Sequence, residues 1–193
     1  MTPGRLVVIT GPVAAGKSTL SRALQEVFAA KGEMCLGLEL DTFGRGVPRD
    51  WIAMGTHRGI NAQSGFDYVR TSTDMVQLAL GTDGRRVLRA FHRSVAAVVN
   101  SGLHAVCETI VYDDDDWRDW LEALHGIPAC WVRLSAPLDV LEGREKADRP
   151  RFLQGLAKGM TARMSVGSFD IEADTSAETA GAIAQRIIAT LGM

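Results

Sequence analysis

The chain has 193 residues, of which 46% are hydrophobic and 23% are charged, a composition typical of one compact domain with a sizeable core. The net charge of −2 and the pI near 6.1 differ from the excess of basic residues expected of proteins that bind nucleic acids or anionic membranes. No apolar run approaches the roughly 20 residues of a membrane span, and the first strand-like run begins too early to leave room for a signal peptide, so we expect a cytoplasmic protein with no membrane or nucleic-acid partner.

Strand-like and helix-like stretches alternate along the chain. The alternation predicts an α/β fold of three layers, in which helices cover both faces of a five-stranded parallel sheet within a single domain, residues 1–193. The predicted strands are residues 5–10, 35–40, 104–111, 129–134 and 169–174. The predicted helices are residues 17–31, 85–101, 115–125, 137–147, 151–163 and 177–191.

Residues 11–18 carry the phosphate-binding loop (P-loop) pattern, a glycine, four free positions and then Gly-Lys-Ser. Gly11 and Gly16 let successive backbone N–H groups point at one centre, and the N-terminus of the following helix adds to that field. Lys17 supplies a mobile charge for the β- and γ-phosphates, and Ser18 supplies a hydroxyl for Mg²⁺. The pattern predicts a P-loop protein that binds ATP or GTP through Gly11, Pro12, Val13, Ala14, Ala15, Gly16, Lys17, Ser18 and Thr19.

Residues 42–84 interrupt the alternation and hold five glycines before Gly81. Because a structureless loop of that length is unusual in a compact domain, we expect short helices and turns packed over the nucleotide side of the sheet. Residues 81–84 predict a turn of a small hairpin or a helix entry. We expect residues 42–100 to bind the acceptor, the second substrate. Four aromatic residues are candidates for lining a pocket for a flat or ring-shaped acceptor: Trp51, Phe66, Tyr68 and Phe91.

Two carboxylates follow apolar strands, at the sheet edge where ligands bind in this class of fold. Asp41 is predicted to accept a proton from an acceptor hydroxyl or to orient that hydroxyl; the alternative is a cap on the segment that starts at Thr42. Glu108 is predicted to hold Mg²⁺ or its water shell opposite Ser18; the alternative is a strand-end charge that faces solvent.

Residues 142–155 are rich in charge, and two arginines flank Pro150, which ends or breaks a helix. We predict a mobile lid in which Arg149 and Arg151 close over the phosphates and exclude water. The alternative is a surface helix laced with ion pairs. Arg144 is as well suited to contact phosphate as to anchor the lid.

Other polar residues are expected to be structural. The acidic run Asp113–Asp116 is expected to cap the helix that follows it, with a metal cluster as the alternative. Three cysteines in apolar strand-like runs are expected to be reduced, buried thiols: Cys35, Cys107 and Cys130. Four histidines lack metal-ligand spacing and are expected to be structural or exposed: His57, His92, His104 and His125.

Taken together, these features resemble the chloramphenicol phosphotransferase family and its relatives. The resemblance spans nearly the whole chain, is loose between residues 42 and 100, and is carried by residues 11–18, the strands that end in Asp41 and Glu108, and residues 142–145 and 169–175. It implies a nucleoside- or shikimate-kinase-like fold, ATP or GTP as co-substrate, and Mg²⁺.

The resemblance also implies roles for single residues. Asp41 would match the aspartate that activates the acceptor hydroxyl, and Lys17 and Ser18 would match the phosphate and Mg²⁺ ligands. The lid would lie within residues 144–151, and a turn at Asp174 and Thr175 would lie near the nucleotide base.

The acceptor half departs from the family's pattern. Glu108 is followed by Thr109 where the family commonly has a second acid, Phe169 replaces a tyrosine, and Asp148 lies close to where an arginine is expected. The acceptor hydroxyl could therefore belong to chloramphenicol or to a different antibiotic, such as a nucleoside-type compound.

The sequence thus predicts a single-domain kinase that moves the γ-phosphate of ATP or GTP to a hydroxyl of a small molecule, which the resemblance implies is an antibiotic. A kinase of a nucleoside, nucleotide or shikimate-like metabolite is the first alternative, favoured by eight arginines: Arg45, Arg49, Arg58, Arg70, Arg85, Arg86, Arg89 and Arg93. An NTP-hydrolysing switch is the second, although the chain lacks the guanine-recognition pattern Asn-Lys-x-Asp. A homo-oligomer is compatible with the sequence.

Overall fold

A computed structural model describes residues 3–163 and 166–192 of the chain. In chain order, the elements are β1 (Leu6–Thr10), α1 (Lys17–Ala30), β2 (Cys35–Glu39), α2 (Leu40–Gly44), a 3-10 helix (Arg49–Trp51), β3 (Ile52–Met54), β4 (His57–Arg58), β5 (Phe66–Ser72), β6 (Met75–Leu80), α3 (Thr82–Asn100), β7 (His104–Glu108), α4 (Asp114–Ala123), β8 (Ala129–Ser135), α5 (Leu138–Asp148), α6 (Leu156–Thr161), β9 (Ile171–Asp174) and α7 (Ala180–Thr190).

The main sheet has five parallel strands in the order β2-β7-β1-β8-β9. The central strand, β1, is buried along its whole length. Its register places Ile9 beside Glu108 of β7 on one side and beside Val132 of β8 on the other. The predicted five-stranded parallel sheet is therefore confirmed. The polar residues that follow β1, β2 and β7 reach the same edge, because parallel strands share the direction of their carboxyl ends.

Two apolar clusters lie on opposite faces of the main sheet. Val7 and Ile9 belong to the cluster that contains α1 and α7, whereas Leu6 and Val8 belong to the cluster that contains α3 and α4. This division follows from the period of two in a β-strand. Since each fully buried aliphatic side chain contributes about 1.5–3 kcal/mol, the clusters hold helices on both faces, and the three-layer prediction is confirmed.

Residues 52–80 form a second sheet with four strands in the order β4-β3-β5-β6. The prediction of short helices and turns for residues 42–84 is correct for α2, the 3-10 helix and the turns at residues 45–46, 55–56, 60–64 and 73–74, but it missed the four strands. β5 and β6 form an antiparallel hairpin whose register shifts between Arg70 and Ser72. Glycines and polar residues suggest turns in the sequence, but strand pairing and packing against the rest of the domain decide the structure.

Several helix boundaries differ from the prediction. Residues 151–155 form turns rather than a helix, so only Leu156–Thr161 is helical. The last helix starts at Ala180 rather than at residue 177, and it is capped by Thr179. The Asp113 side chain accepts a hydrogen bond from the Asp116 N–H, which confirms the predicted cap of α4.

None of the helices in the described part of the chain is long and apolar enough to cross a membrane.

Candidate active site

The phosphate-binding loop joins the buried end of β1 to the first turn of α1. Gly16, at the helix N-cap, has a φ of 87°, and Ala14 has a φ of 63°, a left-handed conformation that non-glycine residues seldom adopt outside functional sites. A Cβ atom on Gly11 would lie 2.6 Å from the Leu134 carbonyl oxygen. The loop conformation and the neighbouring strand therefore explain why glycine occupies both ends of the pattern.

Lys17 reaches back over the loop. Its Nζ donates to the carbonyl oxygens of Gly11, at 2.8 Å, and Pro12, at 2.9 Å. Burial lowers the pKa of Lys17 to about 8, while the nearby carboxylates of Asp41 and Glu108 raise it and the Arg149 guanidinium lowers it. The ammonium thus lies among the groups that the sequence assigned to phosphoryl transfer, and it is only weakly solvated.

Ser18 and Glu108 face each other beside the loop. The Ser18 hydroxyl donates to the Glu108 carboxylate at 2.7 Å, and Glu108 is buried at the end of β7. Oxygen donors of this kind suit Mg²⁺, which keeps several waters and takes few protein ligands when it binds nucleotide phosphates. In the described residues, no cluster of three or more histidine, cysteine or acidic side chains could hold a metal ion by itself. The Ser18–Glu108 pair therefore fits a magnesium ion shared with phosphates.

Asp41 and Arg149 lie opposite each other at the mouth of the site. Asp41 sits in the first turn of α2, and one of its carboxylate oxygens is 3.9 Å from Arg149 Nη2. The Asp41 side chain is 79% exposed, so solvent screens this ion pair and its contribution to stability is small. The Asp41 carboxylate lies within the electrostatic reach of Lys17.

Arg144 joins the phosphate-binding loop to the turn that follows β9. Its guanidinium donates to the Ala14 carbonyl at 3.3 Å and to the hydroxyl and carbonyl of Thr175, at 2.9 Å and 3.0 Å. Asp174 accepts hydrogen bonds from the backbone and hydroxyl of Ser176, which lower its pKa. Arg144 and Thr175 line the cavity, whereas Asp174 shapes the turn from outside the lining.

The second predicted lid arginine lies elsewhere. Arg151 is exposed, is absent from the cavity lining, and presents its carbonyl oxygen to Arg70 of β5 at 3.4 Å. The structure therefore brings Arg149 into the site but not Arg151.

A cavity of about 990 Å³ extends from the phosphate-binding loop to the second sheet. Of the four predicted aromatic residues, Phe66 and Tyr68 line it, whereas Trp51 and Phe91 do not. Most of its lining at the far end was missed by the sequence analysis: Ile52, Met54, Leu78, Leu80, Val87, Leu88, Tyr112, Leu153, Leu156 and Met160. The spacing of two between Phe66 and Tyr68, and between Leu78 and Leu80, is the signal that could have identified these strands.

The arginines of residues 42–100 mostly avoid the cavity. Arg45 alone among the eight, all of which lie in described residues, contributes to its lining, and it is exposed. Arg85 makes two hydrogen bonds to Asp113. Others contact acids or carbonyl groups outside the lining: Arg58, Arg70, Arg86, Arg89 and Arg93. The part of the lining that residues 42–100 supply is thus mainly apolar, and Arg45 is the one arginine among them that contributes to it.

His92 is buried away from the cavity, as expected of a structural histidine. Its Nδ1 lies 2.6 Å from an Asp119 oxygen, and its Nε2 lies 3.4 Å from an Asp116 oxygen. Burial lowers the pKa of His92 to about 4 and raises the pKa of Asp116 to about 7. These groups tie α3 to α4 and touch no residue of the phosphate-binding loop in the hydrogen-bond network.

The fold and the loop together define a P-loop kinase architecture. APS kinase from Mycobacterium tuberculosis, in complex with AMPPNP and APS, is similar over 100% of both chains at 16% identity, with a TM-score of 0.68. A sugar kinase from Janibacter sp. is similar at 17% identity, with a TM-score of 0.66. The match covers 98% of this chain and 95% of the sugar kinase chain. The tunicamycin resistance protein of Deinococcus radiodurans is similar at 15% identity, with a TM-score of 0.63. The match covers 98% of this chain and 96% of that protein's chain.

No curated protein matches the chain. Residues 4–192 match the family described as chloramphenicol phosphotransferase-like protein, and the chain belongs to that family.

Proposed function

We propose that this protein is a kinase that transfers the γ-phosphate of ATP or GTP to a hydroxyl group of an uncharged, largely apolar small molecule. One observation carries the proposal: the same cavity is lined by the phosphate-binding loop, by Asp41 and Arg149, which lie 3.9 Å apart, and by apolar side chains of the second sheet, which form the acceptor chamber. A reacting hydroxyl in the chamber would therefore have both a carboxylate and the phosphate-binding groups within reach.

The loop supplies the phosphate-binding charge. The Lys17 ammonium donates to two loop carbonyls and would exchange them for β- and γ-phosphate oxygens. Ser18 and Glu108 would hold Mg²⁺, which when bound neutralises charge on the phosphates. Arg149 would stabilise the charge that develops on the transferred group, because donors aimed at that position are the main source of catalysis in phosphoryl transfer.

Asp41 is the proposed base. Transfer joins the acceptor oxygen to the γ-phosphorus and breaks the bond between that phosphorus and the β-γ bridging oxygen. The acceptor hydroxyl loses its proton to the Asp41 carboxylate, which orients the hydroxyl beforehand. The exposed position of Asp41 lets it release that proton to solvent afterwards.

The chamber favours an uncharged acceptor over an acidic metabolite. An acidic acceptor needs fixed cations, because burying an unpaired charge in apolar surroundings is costly. Seven of the eight arginines in residues 42–100 lie outside the lining, and the eighth, Arg45, is at the exposed rim. The family description favours an antibiotic such as chloramphenicol among uncharged acceptors, and we include that compound in the proposal.

Mass spectrometry of reaction mixtures tests the proposal. The protein is incubated with ATP or GTP, Mg²⁺ and a panel that pairs uncharged hydroxyl compounds, chloramphenicol among them, with acidic acceptors such as APS and shikimate. We expect one added phosphoryl group on uncharged members only. Modification of acidic members alone would establish the metabolic alternative. NTP hydrolysis that ignores every hydroxyl compound and survives Asp41→Asn would establish the switch.

A further inference from the structure

Residues 151–155, here called the lid segment, follow Arg149 and Pro150 directly. They are folded into successive turns, in which the Leu153 N–H donates to the Pro150 carbonyl at 2.9 Å. The Gln154 side chain also donates to the Arg149 carbonyl at 3.1 Å. Because of these bonds, the position of the lid segment sets the position of the Arg149 backbone.

Arg70 of β5 holds the lid segment from the second sheet. Its Nη2 donates to the carbonyl oxygens of Arg151 and Phe152, at 3.4 Å each, and of Gln154, at 3.2 Å, while Nη1 donates to Thr73 at 3.2 Å. A guanidinium presents several donors in one fixed plane, so one side chain can serve a group of carbonyls that turns inward together.

Further contacts bind the end of the lid segment to the same hairpin. The Val76 N–H donates to the Gly155 carbonyl at 3.0 Å, and Lys158 forms an ion pair with Asp74. A Cβ on Gly155 would lie 2.6 Å from the Asp74 carbonyl oxygen, so the two backbones are in direct contact.

The inner side of the lid segment is fixed to α5. The Glu145 carboxylate, 1% exposed, accepts the backbone N–H groups of Gly155, at 2.7 Å, and Ala157, at 2.9 Å. Arg144, the preceding residue, holds the phosphate-binding loop. Glu145 thus fixes one end of the segment from the nucleotide side, and Arg70 fixes its turns from the acceptor side.

Strand β5 also forms part of the acceptor chamber. Phe66 and Tyr68 line the cavity, and Arg70 continues the same strand face at the next alternate position. We propose that Arg70 is a positioning residue for the phosphoryl transfer proposed above: it fixes the lid segment to the acceptor sheet and so holds Arg149 opposite Asp41. This inference rests on the proposed function. The predicted mobile lid is then held in place by β5, the strand that also lines the acceptor chamber.

Limited digestion with trypsin, combined with ATP turnover, tests this role. Trypsin does not cleave between Arg149 and Pro150, so Arg151–Phe152 is the cleavage site within the lid segment, and Lys31–Gly32 at the end of α1 is an internal reference. In Arg70→Ala, we expect cleavage after Arg151 to be about tenfold faster, because the segment opens locally, with cleavage after Lys31 unchanged. Arg58→Ala is the matched control. Arg58 also donates only to carbonyl groups, those of Gly55 and His57, and neither residue belongs to the lid segment.

The slow transfer of the ATP γ-phosphate to water gives the catalytic readout, independent of the acceptor's identity. For Arg70→Ala we expect kcat to fall about tenfold through misplacement of Arg149, with the KM for ATP within about twofold of wild type because the loop is intact, and Arg70→Lys to recover part of the loss. Equal acceleration of cleavage at both sites, or no change in either readout, overturns the proposal. If wild type transfers no phosphate to water, the same comparison of kcat is made with a compound that the panel above shows to be phosphorylated. Modification of no compound in that panel would remove the proposed function and the positioning role together, whereas selective cleavage after Arg151 would still establish the tether.

Discussion

The phosphate-binding loop occupies residues 11–18 without interruption, whereas the acceptor end of the cavity draws its lining from β3, β5, β6, α3 and α6. Phosphates present the same charge and shape in every nucleotide, so one local backbone conformation suffices to bind them. An apolar acceptor is bound mainly through shape and buried area, and walls for it come from segments that meet only after folding. The two halves should therefore respond differently to substitution.

Lys17→Ala should have the largest effect. Removing a charge aimed at the transferring phosphate is expected to lower kcat/KM for ATP about a thousandfold, whatever the acceptor, water included. A coupled assay of ADP release measures the loss. Lys31→Ala, at the other end of the same helix, is the matched control and should retain wild-type rates. Wild-type turnover by Lys17→Ala would remove the loop from the mechanism.

Asp41→Asn should reduce phosphoryl transfer to the acceptor while leaving nucleotide binding nearly unchanged. The amide keeps the shape of the side chain but cannot take the hydroxyl proton, so kcat for a hydroxyl acceptor should fall about a hundredfold. The affinity for ADP at neutral pH, measured by titration calorimetry, should change little because the loop remains intact. Equal losses in both measurements would show that Asp41 serves the loop and not the acceptor. Asp50→Asn, in the 3-10 helix outside the cavity lining, provides the control.

The parts of this site that could be predicted from the sequence are either contiguous in the chain or lie at the shared edge of the parallel sheet. Residues 11–18 form a contiguous pattern, and Ser18 and Glu108 meet because parallel strands end at one edge. The fold class follows from the alternation of strands and helices for the same reason.

The acceptor half could not be predicted in this way. Strand β3 spans only three residues, and β5 ends in polar residues, so the alternation of Phe66 and Tyr68 is a short signal. Their pairing depends on packing against α6 and the rest of the domain. The two arginines that flank Pro150 are indistinguishable by sequence, yet only Arg149 lines the cavity. The Arg151 carbonyl accepts a hydrogen bond from Arg70, a contact between residues distant in the chain that the sequence does not reveal.

Gly159→Ala should expose how closely the acceptor half is assembled. A Cβ at Gly159 in α6 would lie 2.0 Å from the Val76 carbonyl oxygen of β6, so the backbones must separate, and unfolding free energy should fall by about 2 kcal/mol. Gly143→Ala in α5 meets open space and should raise stability by about 0.5–1 kcal/mol through helix propensity. Urea unfolding measures both changes. Similar effects of the two substitutions would contradict the close contact between α6 and β6.

The smallest effect we expect is a pH dependence in the nucleotide half. Burial lowers the pKa of Lys17 to about 8, and negative phosphate oxygens would raise it again. Above that pH, binding must therefore take up a proton, and the affinity for Mg²⁺-free ADP should fall by up to about tenfold per pH unit, with no such slope from Lys17 below it. Calorimetry in two buffers of different ionisation enthalpy measures the proton uptake directly.

Asp41→Asn refines this test from the acceptor half. The Asp41 carboxylate is the largest of the charges that raise the pKa of Lys17, so its neutralisation should lower that pKa and move the onset of proton uptake to lower pH. Asp50→Asn should leave the onset in place. An onset that stays the same in Asp41→Asn would place the Asp41 carboxylate too far from Lys17 to act in the same transfer. The proposal that Asp41 serves the acceptor while Lys17 serves the nucleotide in one reaction would then be wrong.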